Sequence, residues 1–549
     1  MYRWKLTNSL EKIFFHNFDE LKETVSGSML KNEIHSFQLA GEFENTEFVT
    51  VECKVEIESE LLPYISIYKI GYSVNDMPSI QIEDDDDYIT KEPGLFPDPL
   101  HKVKDGKFTL VDHQVRGLWV AVEPEGKING IFPIKFRLFD KDGALSSELT
   151  YTLKIIDAEL PKQELLNTGW FHGDCLAVLH NVEIGSEKYF EIVDKYMRVY
   201  AKFGHNMILT PVFTPPLDTA IGSERPTNQL VDVAVTDGKY SFGFEKLGHW
   251  IDLCRKNGIE YYEISHLFTQ WGAKFAPKVM ATVDGEYKRI FGWETEGTSD
   301  EYKTFMTEFL SELTAFLKKE GIYECCYFHV SDEPDSSEEH EKRYREAKEI
   351  ISAFVSEDKL FDALAEYRYY EKGIIKKPVV ASNHIKKFME NGVKNLWTYY
   401  CMAQRGGVAN RFLAQPSYRN RILGYQLYKY NIEGFLQWGF NFWFSKGSQS
   451  VINPYINTTG STAWPGGDPF VVYPLDTDGN VVCSHRLYVF NDGLQDMRAL
   501  KLLESLTDRE TVMKMLDDVV GFDVYPRNND YILGLREAIN AKIESIVCR

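Results

Sequence analysis

Tyr327-Phe328-His329-Val330-Ser331-Asp332-Glu333-Pro334 is an apolar, β-prone run that ends in two adjacent carboxylates and a proline. A barrel strand presents acids to an active site in this way, because such sites lie at the C-terminal ends of the strands. Neighbouring acids repel, and one use of that repulsion is to lift a carboxyl's pKa until it serves as a general acid. Pro334 has no N–H and stops regular strand pairing. Taken alone, Asp-Glu-Pro fits equally a solvated turn before a helix capped by Ser336 or Ser337. The surrounding chain decides between the two.

After Pro161, strands alternate with helices, the pattern of βα units. Eight candidate strands fall at 168–172, 207–210, 260–265, 327–331, 361–364, 378–381, 394–399 and 434–440, with helices between most of them, as at 189–203, 244–257, 300–320 and 338–355. Eight such units predict a closed barrel over 159–506, with 487–506 as its last helix and 507–549 as a short helical tail. Residues 1–158 read as all-β. Runs at 47–51, 65–70, 118–122, 134–139 and 148–156 alternate or are rich in β-branched residues, and turn-rich stretches separate them. Strands at this spacing predict a sandwich. The expected fold class is therefore α/β, a (β/α)8 TIM-type barrel preceded by an N-terminal all-β sandwich. The acidic run 83–87 reads as a solvated loop whose spacing matches no recognised calcium motif.

A chain of 549 residues exceeds one ordinary core, and 44% hydrophobic with 26% charged residues is the balance of a soluble globular protein. The net charge of -21, with no Lys/Arg block, argues against nucleic acid as a partner. The start, Met1 to Thr7, has no apolar signal core, and no stretch reaches the roughly 18 apolar residues of a membrane span. A cytoplasmic protein is expected. The eight cysteines sit mostly in apolar runs without zinc-site spacing and read as reduced, buried thiols. Aromatic residues, at 14%, suit sugar-stacking surfaces and large aromatic cores alike.

The residues just after each apolar run are those that a barrel would bring to its catalytic rim. They are His172 and Asp174 after the first, His266 and Trp271 after the third, and Asp332 and Glu333 after the fourth. Trp397, Tyr399 and Tyr400 close the seventh, and Trp438, Asn441 and Trp443 follow the eighth. Acids, imidazoles, amides and aromatics on one rim suit a sugar, whose hydroxyls need polar partners and whose ring face packs on aromatics. Plain structural alternatives stand beside each. The histidines fit satisfied core positions, Asp174 fits a cap, and the tryptophans taken singly fit a core. Asp468, in the rigid loop 464–469, is either within reach of the pocket or turn chemistry. No G-x-S-x-G, H-E-x-x-H or G-x-x-x-x-G-K-[ST] occurs, so serine-hydrolase, zincin and nucleotide-binding readings drop away. Two rivals stay open: a non-catalytic glycan-binding protein, and a metal-dependent barrel enzyme using His172, Asp174, His266 and Glu333. No cofactor is called for.

The chain also resembles glycoside hydrolase family 123, the retaining β-N-acetylgalactosaminidases. The resemblance rests on Leu95-Phe96-Pro97-Asp98-Pro99-Leu100, Leu118-Trp119-Val120, His329 to Pro334 and Trp397-Thr398-Tyr399-Tyr400. It continues through Pro465-Gly466-Gly467-Asp468-Pro469-Phe470 to Tyr473-Pro474, and through Arg486-Leu487-Tyr488-Val489-Phe490-Asn491-Asp492-Gly493 to Asp496. It implies a β-sandwich, a catalytic barrel and, as substrate partner, a glycan ending in β-linked GalNAc. An ordinary retaining glycosidase sets its two carboxyls about 5 to 5.5 Å apart across the bond, which adjacent residues do poorly. In substrate-assisted catalysis the sugar's own 2-acetamido oxygen attacks, and both acids work from one side. The resemblance then implies Glu333 as general acid/base and Asp332 as the group that holds the acetamido N–H. Tyr400, ahead of Tyr399, would donate to the acetamido oxygen, and Trp438 would enclose its methyl. His172, Asp174 and His266 are the candidates for the axial 4-hydroxyl. Trp271 and Trp443 complete the expected sugar-binding set.

Overall fold

Eight short parallel strands form the central sheet of the computed structural model, which describes residues 1–45, 49–80, 85–270, 272–334 and 337–547. In chain order they are Leu166–Gly169, Met207–Thr210, Tyr261–Ile264, Cys326–Phe328, Phe361–Leu364, Lys377–Ala381, Trp397–Tyr399 and Gly434–Gln437. The ladder runs from the fourth strand back to the first, across to the eighth, and down to the fifth. A parallel bridge between Phe328 and Leu360 spans the remaining gap, so the barrel is nearly closed. Alternate strand residues, including Leu166, Leu209, Phe361, Val379, Trp397 and Leu436, make one buried cluster. This is the layered filling expected inside such a barrel. Gly434 is required there, because a Cβ would collide with the indole of Trp397. Serine side chains cap several surrounding helices. Ser186, Ser299 and Ser484 accept from the backbone of Glu187–Lys202, Asp300–Lys319 and His485–Leu506. Ser337 does the same for Glu338–Ser352, while Ser336 lies outside the described residues. The tail contains two helices, Arg509–Met515 and Asn529–Val547.

The N-terminal region is all-β, apart from one helical turn at Leu62–Tyr64. One sheet has seven strands and the other five. Phe37, Leu39 and Val120 from the first share a buried cluster with Val55, Phe136 and Leu153 from the second. The seven-stranded sheet is completed from far along the chain: Val472–Tyr473 and Val482–Ser484 add its last two strands, with Cys483 opposite Leu100. Strands of two and three residues show no periodicity, so the sequence did not reveal them.

A second addition was also unforeseen. Asp232–Thr236, Lys239–Gly243, Val279–Val283 and Glu286–Phe291 form a four-stranded sheet in the excursions after the second and third barrel strands. Its two hairpins turn at Asp237-Gly238 and Asp284-Gly285, with positive φ throughout. That is the Asp-Gly hairpin signal. In the described part of the acidic run, Asp86 is solvated as expected, but Asp85 is not. Asp85 accepts from the Gly407 N–H at 2.6 Å and pairs with the buried Arg419 at 3.0 Å, because a buried guanidinium needs a carboxylate partner. Residues 83–84 of that run and 47–48 of the first expected strand lie outside the described residues.

Candidate active site

Two adjacent side chains on an extended segment point to opposite faces. Asp332 and Glu333 escape this rule because Glu333 adopts φ of +41°, a left-handed conformation uncommon for a non-glycine residue. Both carboxyls therefore line one cavity of about 280 Å³ at the C-terminal end of the barrel. The strained backbone is held in place: the Glu333 N–H donates to the Ala363 carbonyl at 3.2 Å, and Tyr399 Oη donates to Glu333 Oε1 at 2.6 Å. Asp332 Oδ2 accepts from Gln270 Nε2 at 2.7 Å, whereas its buried Oδ1 meets no donor among the described residues. Burial, and then the Glu333 carboxylate, hold Asp332 well above the usual carboxylate range. Burial raises Glu333 as well, against the Tyr399 hydrogen bond. Two raised, adjacent carboxyls lose their protons in two steps that belong to the pair rather than to either residue.

Beneath the acids lies a buried charge network. His329 Nε2 contacts Glu263 Oε1 at 2.6 Å and Nδ1 contacts Asp362 Oδ1 at 2.8 Å. Although burial opposes its charge, the bonds to Asp362 and Glu263 push the imidazole up to about 9, so it is an imidazolium at neutral pH. The carboxylates are anchored in turn. Thr168 and Trp170 donate to Glu263 at 2.5 and 2.6 Å, and Tyr344 donates to Asp362 at 2.5 Å. His266 stacks on His329 with ring centroids 4.0 Å apart. Burial and the neighbouring charge keep it neutral.

The opposite wall is aromatic. Trp438 packs against Trp464 and Phe442, with centroids 5.0 and 5.1 Å away. Its indole N–H donates to Asp468 Oδ2 at 3.0 Å. Burial pushes that carboxyl up to about 7. Asp468 thus reaches the pocket indirectly, by fixing the angle of a tryptophan.

The predicted residues separate into two groups. Asp332, Glu333, Tyr399 and Trp438 line the cavity. His172 and Asp174 do not: Arg225 forms a two-bond pair with Asp174, at 2.8 Å each, and reaches His172 Nδ1 at 3.1 Å. His172 Nε2 lies 3.1 Å from the Trp438 carbonyl, so the pair supports the wall from behind. His266 sits in the layer below. Trp443 is core, its indole donating to the Val472 carbonyl at 3.3 Å. Tyr400 is buried against Phe435 and does not line the cavity, whereas its neighbour Tyr399 does, because successive residues of an extended segment face opposite ways. Trp271 lies outside the described residues. The residues of the rival metal-dependent reading are engaged elsewhere among the described residues: Arg225 pairs with His172 and Asp174, and Tyr399 bonds Glu333. Ligand atoms of His266, His329 and Asp362 lie within 4.8 Å of one another, but both His329 nitrogens already face carboxylates. Gln270, Asp218 and Trp464 line the cavity and were missed. Glu263 and Asp362 were missed too, although an acid inside an apolar strand is itself a sign that a buried cation waits nearby.

The sequence model of the glycoside hydrolase 123 catalytic domain matches residues 170–503. Among solved structures, a family 123 glycoside hydrolase from Clostridium perfringens, studied for glycolipid glycan hydrolysis, is similar over 100% of both chains, with a TM-score of 0.77 and 15% identity. A Parabacteroides merdae β-glucuronidase covers 89% of this chain and 54% of its own, with a TM-score of 0.32 and 12% identity. No curated protein matches the sequence.

Proposed function

Because the chain belongs to glycoside hydrolase family 123, we propose that it is a retaining exo-β-N-acetylgalactosaminidase that releases terminal β-linked GalNAc from glycolipid glycans by substrate-assisted catalysis. The observation that carries this reading is the state of Asp332: one oxygen is tied to Gln270 and the other is buried, without a partner among the described residues, and beside Glu333 in the same cavity. An acetamido N–H meets that free oxygen. Its donation favours the ionised form of Asp332 and leaves the shared proton on Glu333. Glu333 then protonates the departing glycosidic oxygen while the acetamido oxygen closes on the anomeric carbon, giving an oxazolinium ion. Asp332 stabilises its charge, and Glu333, now a base, activates the water that opens it. Tyr399 is released from Glu333 once that group carries the proton, and turns to the acetamido oxygen. Trp438 encloses the methyl group. The glycolipid substrate follows the Clostridium perfringens relative. We further read 1–158 as a sandwich bracing a 159–506 barrel, with 507–549 as a helical tail.

The test is hydrolysis of 4-nitrophenyl β-N-acetylgalactosaminide and its glucosamine counterpart, with and without a thiazoline that mimics the oxazoline. Galactosaminide cleavage blocked by the thiazoline is expected. Asp332→Asn should lose activity without azide rescue, and an inverted glycosyl azide from that variant would instead reveal a covalent enzyme nucleophile.

A further inference from the structure

Gln270 follows the third barrel strand and lies between Asp218, whose backbone is strained, and Asp332. The Asp218 N–H donates to Gln270 Oε1 at 2.6 Å. A backbone N–H can only donate, so the oxygen end of the amide is fixed there and Nε2 must face Asp332, 2.7 Å from Oδ2. Asp218 is itself held at φ of +41° by the loop after the eighth strand. The Gly447 N–H donates to its carboxylate at 3.1 Å, and Ser448 Oγ donates to its carbonyl at 2.8 Å. A strained turn, buttressed from across the barrel, thus delivers one N–H that forbids Gln270 to flip. The consequence reaches Asp332. Its Oδ2 is tied as an acceptor, and Oδ1 is buried with no partner among the described residues. An oxygen in that state calls for a donor that comes with the ligand.

We propose that Gln270 is a positioning residue that makes this site selective for 2-acetamido sugars, by locking Asp332 so that its free oxygen faces the substrate's N–H. The inference rests on the function proposed above. It deepens that function, because the selecting feature becomes the orientation of an amide outside the acid pair. Among the described residues, the charged and titratable groups around Asp332 are Glu333 beside it, His329 and Asp362 beneath it, and Tyr399, Cys401, Asp218 and Lys446 lining the same cavity. Gln270 donates to it without titrating.

Two measurements separate this inference from the function it rests on. The first is a carbon-13 NMR titration of aspartate carboxyls in the wild type and Gln270→Ala, assigned with Asp332→Asn. Losing a donor to the ionised form should move the Asp332 titration to higher pH. The second is kcat/KM against pH on the galactosaminide. Gln270→Ala should lose about 10- to 100-fold, the range for lost supporting contacts, and its acidic limb should move upward. Gln270→Glu should be as poor at neutral pH and partly recover at low pH, where its carboxyl regains a proton to donate. An unmoved Asp332 titration, or lost activity with an unmoved acidic limb, overturns the positioning role. A shifted titration in Gln270→Ala, together with a wild type that does not cleave the galactosaminide, keeps the hold on Asp332 but overturns the acetamido selectivity.

Discussion

Glu333 concentrates the chemistry of the site in one residue. Its left-handed backbone brings two neighbouring acids to one cavity, and that conformation costs on the order of 1–3 kcal/mol, which the Ala363 and Tyr399 contacts offset. Glu333→Gln keeps the shape and removes the proton. Turnover on substrates with poor leaving groups should fall about 100-fold or more, while activated aryl substrates suffer less. Near-normal cleavage of an unactivated disaccharide by this variant would refute the role. Tyr399→Phe tests the tuning. The phenol's hydrogen bond holds the Glu333 carboxyl down against burial, so removing it should raise that carboxyl further. The acid form then survives to higher pH, and the basic limb of kcat/KM should move up. A limb that moves down would mean that Tyr399 stabilises the protonated form instead.

At the scale of elements, the strand ends matter more than the strands. The second and fifth barrel strands follow the predicted bounds, because 207–210 and 361–364 are unbroken β-prone runs between polar breaks. The fourth ends at Phe328 rather than 331, since His329 leaves the ladder for two carboxylates on neighbouring strands. Long-range charge pairing of this kind has no local pattern, which is why the acids were legible and the layer beneath them was not. The Asp-Gly hairpins were legible in principle, but they were hidden by a reading that expected only βα units after Pro161. The His329 layer has a pH signature. Its imidazole titrates at about 9 folded against 6.5 for the free side chain, so its stabilisation is complete below 6.5 and is lost as pH rises through about 9. Thermal stability should decline across that window. His329→Gln should be destabilised by about 3–5 kcal/mol at neutral pH, the cost of breaking a buried pair, and should lose that decline. Wild-type and variant melting curves that fall in parallel with pH would exclude His329 as the source.

Across the whole molecule, segments that resemble the family in sequence turn out to be partners in space. Arg486, on the last barrel helix, forms a two-bond pair with Asp98 of the N-terminal sheet at 2.9 and 2.8 Å. It also donates to the carbonyls of Gly467 at 2.6 Å and Phe470 at 2.9 Å, which bracket Asp468 and hence the tryptophan wall. No single motif announced this, because each of the three was read by itself and the pairing between them is long-range. The arrangement gives the β region a connection to the pocket that is independent of substrate contact. Asp98→Ala leaves a buried guanidinium uncompensated and should cost about 3–5 kcal/mol of stability. If the connection transmits, the same variant, assayed well below its melting temperature, should also show a raised KM as Asp468 loosens and Trp438 loses its fixed angle. Trp438→Ala in the Asp98→Ala background should then add less to KM than it does alone, because both changes act on one wall. Additive effects, or a destabilised Asp98→Ala with unchanged KM, would confine the pair to holding the N-terminal region and barrel together.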